Sequence, residues 1–267
     1  MRASLFLISL ALSSAACSDA REYEEKAGVA ATPAASGAED AQSAANTKIE
    51  TETEQYIFSY QWPAAAAAHA DLLKVLRADA DAMQQSLADE AALDWDGAQG
   101  QDWTPRQHSA SLEWKVVADL PVFLSMSGTL ATYSGGAHGM YGLQSMVWDK
   151  TARSSIDARE MFASPTQLET ALGARLCETL NREREKRRGM EIDPESTDSF
   201  DTCPGVDEAT VLVGSSNGET FDRIAIYFGP YVAGAYAEGD YELNFPVTAA
   251  VLDAVKPEYA SAFSIKR

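Results

Sequence analysis

The chain has 267 residues and a formal net charge of −19, with 40 Asp and Glu against 21 Lys and Arg. That excess argues against a general affinity for nucleic acid or anionic membrane surfaces, and it favours either a cationic partner or solubility alone. At 46% hydrophobic and 23% charged residues the chain is fit to bury a core, and its length suits one or two domains.

The first element is a targeting segment. Arg2 precedes an apolar run over residues 5–12, and Ser13-Ser14-Ala15-Ala16-Cys17 follows. A charged start, a short apolar core and small residues before a cleavage point make residues 1–16 a secretory signal peptide. The run falls well short of the about 20 residues that cross a bilayer, and no later stretch approaches that length. Cleavage after Ala16 leaves Cys17 first, the position lipidated in bacterial lipoproteins. An ordinary signal peptidase could use the same bond, because Ser14 and Ala16 are both small. The lipoprotein reading places the body at the periplasmic face of a bacterial membrane, by preference the outer one, with the lipid as its membrane contact. Loss of Arg2 would make the mature chain one unit more acidic.

Cysteine parity agrees. Once Cys17 is set aside, Cys177 and Cys203 remain, and an exported protein usually pairs its cysteines. A metal site would need further ligands, and none of the three histidines lies near either cysteine in sequence. The expectation is therefore one disulfide, no metal and no cofactor.

Residues 17–49 are rich in Ala, Glu, Ser, Thr and Gly with no periodic apolar face, which reads as a disordered tether. The body is residues 50–267. Residues 56–60 look like a first strand. Leu72, Leu76, Ala80, Met83 and Leu87 recur at helical spacing. Leu112, Trp114 and Val116 alternate with Glu113 and Lys115 as in a half-buried strand. Residues 122–133 form another strand, and residues 140–148 form its partner. Asp149-Lys150-Thr151-Ala152 then reads as a turn.

A second long helix is expected from Ser164, a capping residue followed by Pro165, to Gly189. Leu168, Leu172, Leu176 and Leu180 are its buried stripe, and Cys177 falls on the flank of that stripe. A bond from Cys177 to Cys203 would strap the following loop across the helix side and contribute roughly 3 kcal/mol in the loop-entropy account. The last third is strand-rich: residues 211–213 and 221–228 flank the turn signal Asn217-Gly218, and Tyr241, Leu243 and Phe245 alternate. A short helix over residues 248–255 precedes the tail. The class is α+β, antiparallel strands with two main helices, forming one compact unit or two sub-domains, 50–137 and 138–267.

One stretch stands out chemically. Tyr133-Ser134-Gly135-Gly136-Ala137-His138-Gly139 sets a histidine among three glycines at a strand end. Adjacent glycines there imply positive φ or a close backbone approach. His138 is read first as structural, its ring satisfied in the core of the turn. A ligand-contacting role or that of a catalytic base remains open.

The motif Tyr133-x-Gly135-Gly136-Ala137-His138 is followed by Trp148-Asp149, by Glu160-Met161-Phe162 and by Tyr227-Phe228-Gly229-Pro230-Tyr231-Val232-Ala233. Ala237-Glu238-Gly239-Asp240 and Phe245-Pro246 close the series. In this order the chain resembles a bacterial envelope family of unknown function, over about residues 56–262. Members form the extracellular part of the lysozyme-binding anti-sigma factor RsiV and the region ahead of the catalytic domain of the deacetylase PdaC. The resemblance implies an RsiV-like α+β fold and an extracytoplasmic recognition role. It implies neither sigma-factor signalling nor metal-dependent deacetylation. The cytoplasmic segment and membrane helix of the one, and the His/Asp cluster of the other, are not seen here. Ala152 also stands where the family often has glycine.

Three functions are carried forward. The first is a lipid-anchored binding module whose partner is a basic protein such as lysozyme, steered by charge. The second is an enzyme acting on envelope polymers, with His138 as base and Glu160 or Asp149 orienting it. The third is a purely structural lipoprotein. No nucleophile motif, metalloprotease helix motif or phosphate-binding glycine loop supports the second, so no catalytic residue is assigned. Residues 214–218 resemble a serine elbow but sit at the Asn-Gly turn. Arg182, Arg184, Lys186, Arg187 and Arg188 could meet phosphate, or could simply suit a helix C-terminus among Glu178, Glu183 and Glu185. Tyr227, Tyr231, Tyr236 and Tyr241 could line a glycan platform or pack in the core. His69 and His108 receive no role.

Overall fold

A parallel strand pair needs a long crossover, and this chain supplies one built mainly from a helix of 28 residues. The computed structural model describes residues 47–265 apart from residue 194. The segment expected to be a signal peptide, Cys17 and the part of the expected tether up to residue 46 lie outside the described residues. Strands β1 (Thr47–Glu52) and β2 (Tyr56–Trp62) pair antiparallel. After the short helix α1 (Ala64–Ala67), helix α2 (Ala70–Gly97) carries the chain back to β3 (His108–Asp119), parallel to β2. β4 (Phe123–Tyr133), β5 (Met140–Asp149) and β6 (Ser154–Ile156) follow as antiparallel neighbours, giving a six-stranded sheet in sequence order.

β1 lies partly inside the segment read as tether. Thr47 pairs with Trp62 and Ile49 with Tyr60, so the ordered body starts at least three residues before residue 50. Lys48, Ile49 and Glu50 have the alternation of a strand, but one apolar residue is too little to see without its partner.

One face of this sheet packs on α2. Phe58, Tyr60 and Trp62 alternate inward from β2, joined by Leu112 and Trp114 from β3, Leu124 and Met126 from β4, and Trp148 from β5. Leu72, Leu76, Ala80 and Leu87 of α2 close the layer, as their spacing predicts. The fully buried Tyr60 hydroxyl donates to Asp79 Oδ2 at 2.7 Å and accepts from Trp114 Nε1 at 2.8 Å. Burial, then the Asp79 carboxylate, pushes the Tyr60 phenol up. Gly128 faces Trp114 across the ladder, and a Cβ there would sit 2.9 Å from Leu112 Cδ1 and 3.0 Å from the indole.

The second core is built from α3 (Pro165–Leu172), α4 (Ala174–Arg188), β7 (Thr210–Gly214), β8 (Arg223–Phe228), β9 (Tyr241–Pro246) and α5 (Ala249–Asp253). β7, β8 and β9 form a three-stranded antiparallel sheet. The single helix expected from Ser164 to Gly189 is two: Gly173 adopts φ 58°, ψ −148°, and breaks it. The leucine stripe survives the break, with Leu168, Leu172, Leu176 and Leu180 all buried in one cluster. Ser164 caps α3 by accepting from Gln167 N at 3.1 Å, and Gly189 ends α4 at φ 69°.

The described residues all fall in one compact unit, Gly37–Arg267. A division at 137/138 would cut the β4–β5 hairpin, in which Phe123 pairs with Asp149 and Thr132 with Met140. The two hydrophobic clusters instead share the large sheet: Ala118 of β3, Phe123 of β4 and Val147 of β5, with Leu120 between β3 and β4, belong to the second one. Among the described residues no helix is long and apolar enough to cross a membrane.

Candidate functional site

The glycine motif is the connection between β4 and β5. Gly135 has φ 83°, where a side chain would be strained. At Gly139 a Cβ would lie 2.7 Å from the Thr132 carbonyl oxygen, so the chain passes too close to itself for any other residue. Tyr133 ties the turn together. Its hydroxyl donates to Gly136 O at 3.0 Å and accepts from Arg106 Nη1 at 2.9 Å.

His138 is exposed, which corrects the expectation of a ring satisfied in the core of the turn: the Tyr133 hydroxyl ties the turn and the imidazole stays outside. Both ring nitrogens nonetheless have partners. Nδ1 lies 2.9 Å from Gly139 O, and a carbonyl only accepts, so Nδ1 carries the hydrogen. In the neutral ring Nε2 is then an acceptor, and the Tyr231 hydroxyl 3.3 Å away donates to it. Tyr236 stacks on the imidazole at 3.9 Å between centroids and donates its hydroxyl to Gly139 O at 2.8 Å. Tyr141 meets Tyr236 edge-on at 6.1 Å, and Tyr231 lies 5.5 Å from Tyr236. These contacts make a platform of rings on the protein surface.

Tyr231 reaches this platform at a conformational cost. Its φ is 69°, in the left-handed region, and its side chain is 48% exposed. A non-glycine residue held there costs on the order of 1–3 kcal/mol, and such outliers concentrate at functional positions. Of the four tyrosines considered from sequence, Tyr231 and Tyr236 reach the surface platform, while Tyr227 and Tyr241 are buried. Burial raises both buried phenols, Tyr241 to about 12.

The turn is a ridge between two clefts. On one side a cleft of about 320 Å³ opens on the sheet face away from α2, lined by Ser59, Ser111, Tyr133, Tyr141 and Tyr236, with Ile57 and Met140 each 41% exposed at its edge. On the other side a cleft of about 380 Å³ is lined by Asp94, Trp103, Arg106, Gly135 and Gly136. Beside the second cleft lies a pair that sequence reasoning missed. His108 is 2% exposed at the start of β3, and its Nε2 is 2.9 Å from Asp94 Oδ2 at the end of α2. The pair joins residues 14 apart, and a lone histidine after a polar loop carries no local sign of it. His69 takes the N-cap position of α2 without a side-chain cap.

The acids offered as orienters of His138 sit elsewhere. Asp149 ends β5 at the strand end remote from Met140, and its Oδ1 accepts from Thr151 N and Ala152 N in the turn read from the sequence. Glu160 lies in the 3₁₀ turn Ala158–Met161. Ser215 is part of a loop, as expected, with Oγ accepting from Gly218 N at 2.9 Å. Among the described residues no group of His, Cys, Asp and Glu is placed to hold a metal ion.

The loop that presents the platform is pinned from α4. Arg184 is fully buried, and Arg187 and Arg188 reach Glu238 and its neighbours. The basic cluster is thus not the solvated helix end that its interleaved glutamates suggest. Three of its arginines make contacts across the fold, while Lys186 pairs locally with Glu183 at 2.7 Å and Arg182 donates to Thr179 Oγ1 at 2.9 Å. Cys177 and Cys203 form the expected disulfide, with Cα atoms 5.6 Å apart.

Comparison with known proteins agrees with the motif. Residues 30–141, which include the glycine turn, match the family described as Deacetylase PdaC. No curated protein matches the chain. A crystal structure of a DUF3298 family protein from Pseudomonas aeruginosa PAO1 is similar at 18% identity and TM-score 0.48, covering 84% of this chain and 95% of that one. A member of the same family from Bacteroides fragilis NCTC 9343 is similar at 13% identity and TM-score 0.39, covering 76% and 89%. Residues 30–141 are therefore PdaC-like, and they contain the first of the motifs that carried the resemblance, Tyr133 to His138.

Proposed function

We propose that the body is a recognition module of the bacterial envelope, held by a lipid on Cys17, and that its ring platform of His138, Tyr231 and Tyr236 contacts a basic protein such as lysozyme. The observation that carries this reading is the exposed His138, held by a carbonyl, a phenol and a stacked ring. That is an arrangement for presenting a surface. A general base would need a nucleophile or substrate proton at Nε2 and an acid behind Nδ1; here Nε2 faces Tyr231 and Nδ1 faces a backbone oxygen. Rigid aromatic side chains are the usual anchors of protein interfaces. The net charge of −19 would steer a cationic partner toward the body.

Titrating the full chain with lysozyme at low and high salt tests this. Binding that weakens as salt rises supports the module. Hydrolysis or deacetylation of peptidoglycan by the chain, lost in His138→Ala, supports an enzyme instead.

A further inference from the structure

Two arginines one turn apart on α4 each hold two separate segments. Arg184 donates from Nε to Ala233 O at 2.8 Å, from Nη1 to Asp201 O at 2.9 Å and Asn181 Oδ1 at 3.0 Å, and from Nη2 to Thr202 O at 2.8 Å. Arg188 donates from Nη2 to Phe200 O at 3.1 Å, from Nη1 to the Asp201 carboxylate, and from Nε to Glu238 Oε2 at 2.9 Å. Loop 200–202 is therefore on one side of the clasp and segment 233–238 on the other. The second segment carries Tyr236 and directly follows Tyr231. The covalent tie of loop 200–202 to α4 is Cys203, the next residue, bonded to Cys177.

A buried guanidinium is tolerated only while acceptors surround it. If loop 200–203 leaves, Arg184 loses two of its four acceptors and must be hydrated. Water there competes for the same guanidinium that holds Ala233. We propose that the Cys177–Cys203 disulfide is a redox lock on the ring platform, whose reduction opens the arginine clasp and separates Tyr236 from His138. As a statement about regulation, this rests on the platform being the binding site; as a statement about structure, it does not.

The chemistry is ordinary exchange with a dithiol. A thiolate of the dithiol attacks Sγ of Cys203, an exposed residue, the sulfur–sulfur bond breaks, and Cys177 leaves as a thiolate that takes up a proton. The second thiol of the reductant then displaces Cys203 from the mixed disulfide. The protein gains two thiols, and the reductant loses two electrons and becomes a disulfide.

The chain has three histidines, so the full chain with ¹³C-labelled histidine gives a direct reading by NMR. Dithiothreitol, with a thiol count to confirm complete reduction, should move the His138 ring signals toward those of an unstacked imidazole. Those of His108, in the other core, should stay in place. The Cys177→Ala/Cys203→Ala variant should show the same shift without reductant; if it does not fold, the wild-type reduction still decides. Unmoved His138 signals after full reduction would overturn the proposal, and so would movement of His108 together with His138, which reports general unfolding. Neither reading involves lysozyme, so a failure of the proposed partner leaves this test intact.

Discussion

Tyr236 lies flat on His138, with ring centroids 3.9 Å apart and 26° between the planes, and its hydroxyl donates to Gly139 O, 97 residues earlier in the chain. The pair fastens the loop before β9 to the turn after β4, so the exposed motif is held by a distant part of the sequence.

The two parts of that contact separate by substitution. Tyr236→Phe keeps the stack and loses one hydrogen bond, worth about 1 kcal/mol. Tyr236→Ala loses both and costs about 2 kcal/mol. Urea unfolding should rank the three proteins in that order, and equal losses for Phe and Ala would show that the ring contact contributes nothing.

Gly128→Ala should destabilise the sheet without touching the site. The new methyl would press on Leu112 and Trp114, both buried, at 2.9 and 3.0 Å. Overpacking of this kind costs about 1–3 kcal/mol. Thermal unfolding should show a lower Tm, while the His138 ring signals remain those of the wild type.

Acid should loosen the clasp. Burial pushes the Glu238 carboxyl up, but hydrogen bonds from Tyr241 and Arg188 outweigh it and hold the group below its ordinary value of 4.5. Ser196, then Arg188, hold Asp201 below 3.8. A carboxyl with a lower value in the folded state stabilises fully above its unfolded value and loses that contribution as pH falls through the folded one. Stability should therefore decline on acidification below about pH 4.5, and Glu238→Gln should flatten the decline. Denaturation midpoints between about pH 6 and about pH 3 check this; an unchanged slope in the variant would contradict it.

Local pattern carried most of the fold. The alternation around Trp114, the leucine spacing in α2 and the Asn217 turn are short-range properties, and the structure has them where the residues place them. The pairing of Cys177 with Cys203 was legible from cysteine parity, because these two remain once Cys17 is set aside. Gly173 was not legible as a break: the stripe runs on at helical spacing across it, and only the positive φ shows the change. β1 has one apolar residue and needs β2 beside it. At the site, the glycine turn and His138 were visible, but Tyr231 and Tyr236 come to His138 from the distant connection between β8 and β9. Arg184 hides among glutamates that suggest a solvated helix. These contacts are tertiary, and spacing along the chain does not encode them.

The central claim is that the ring platform is where a basic partner binds. The most direct measurement is a titration of the histidine-labelled chain with lysozyme, read by NMR and repeated with Tyr231→Ala. The account predicts that His138 signals shift on addition, that His108 signals do not, and that Tyr231→Ala weakens binding by about tenfold or more. Lysozyme binding that leaves His138 untouched, or no binding at low salt, would contradict it.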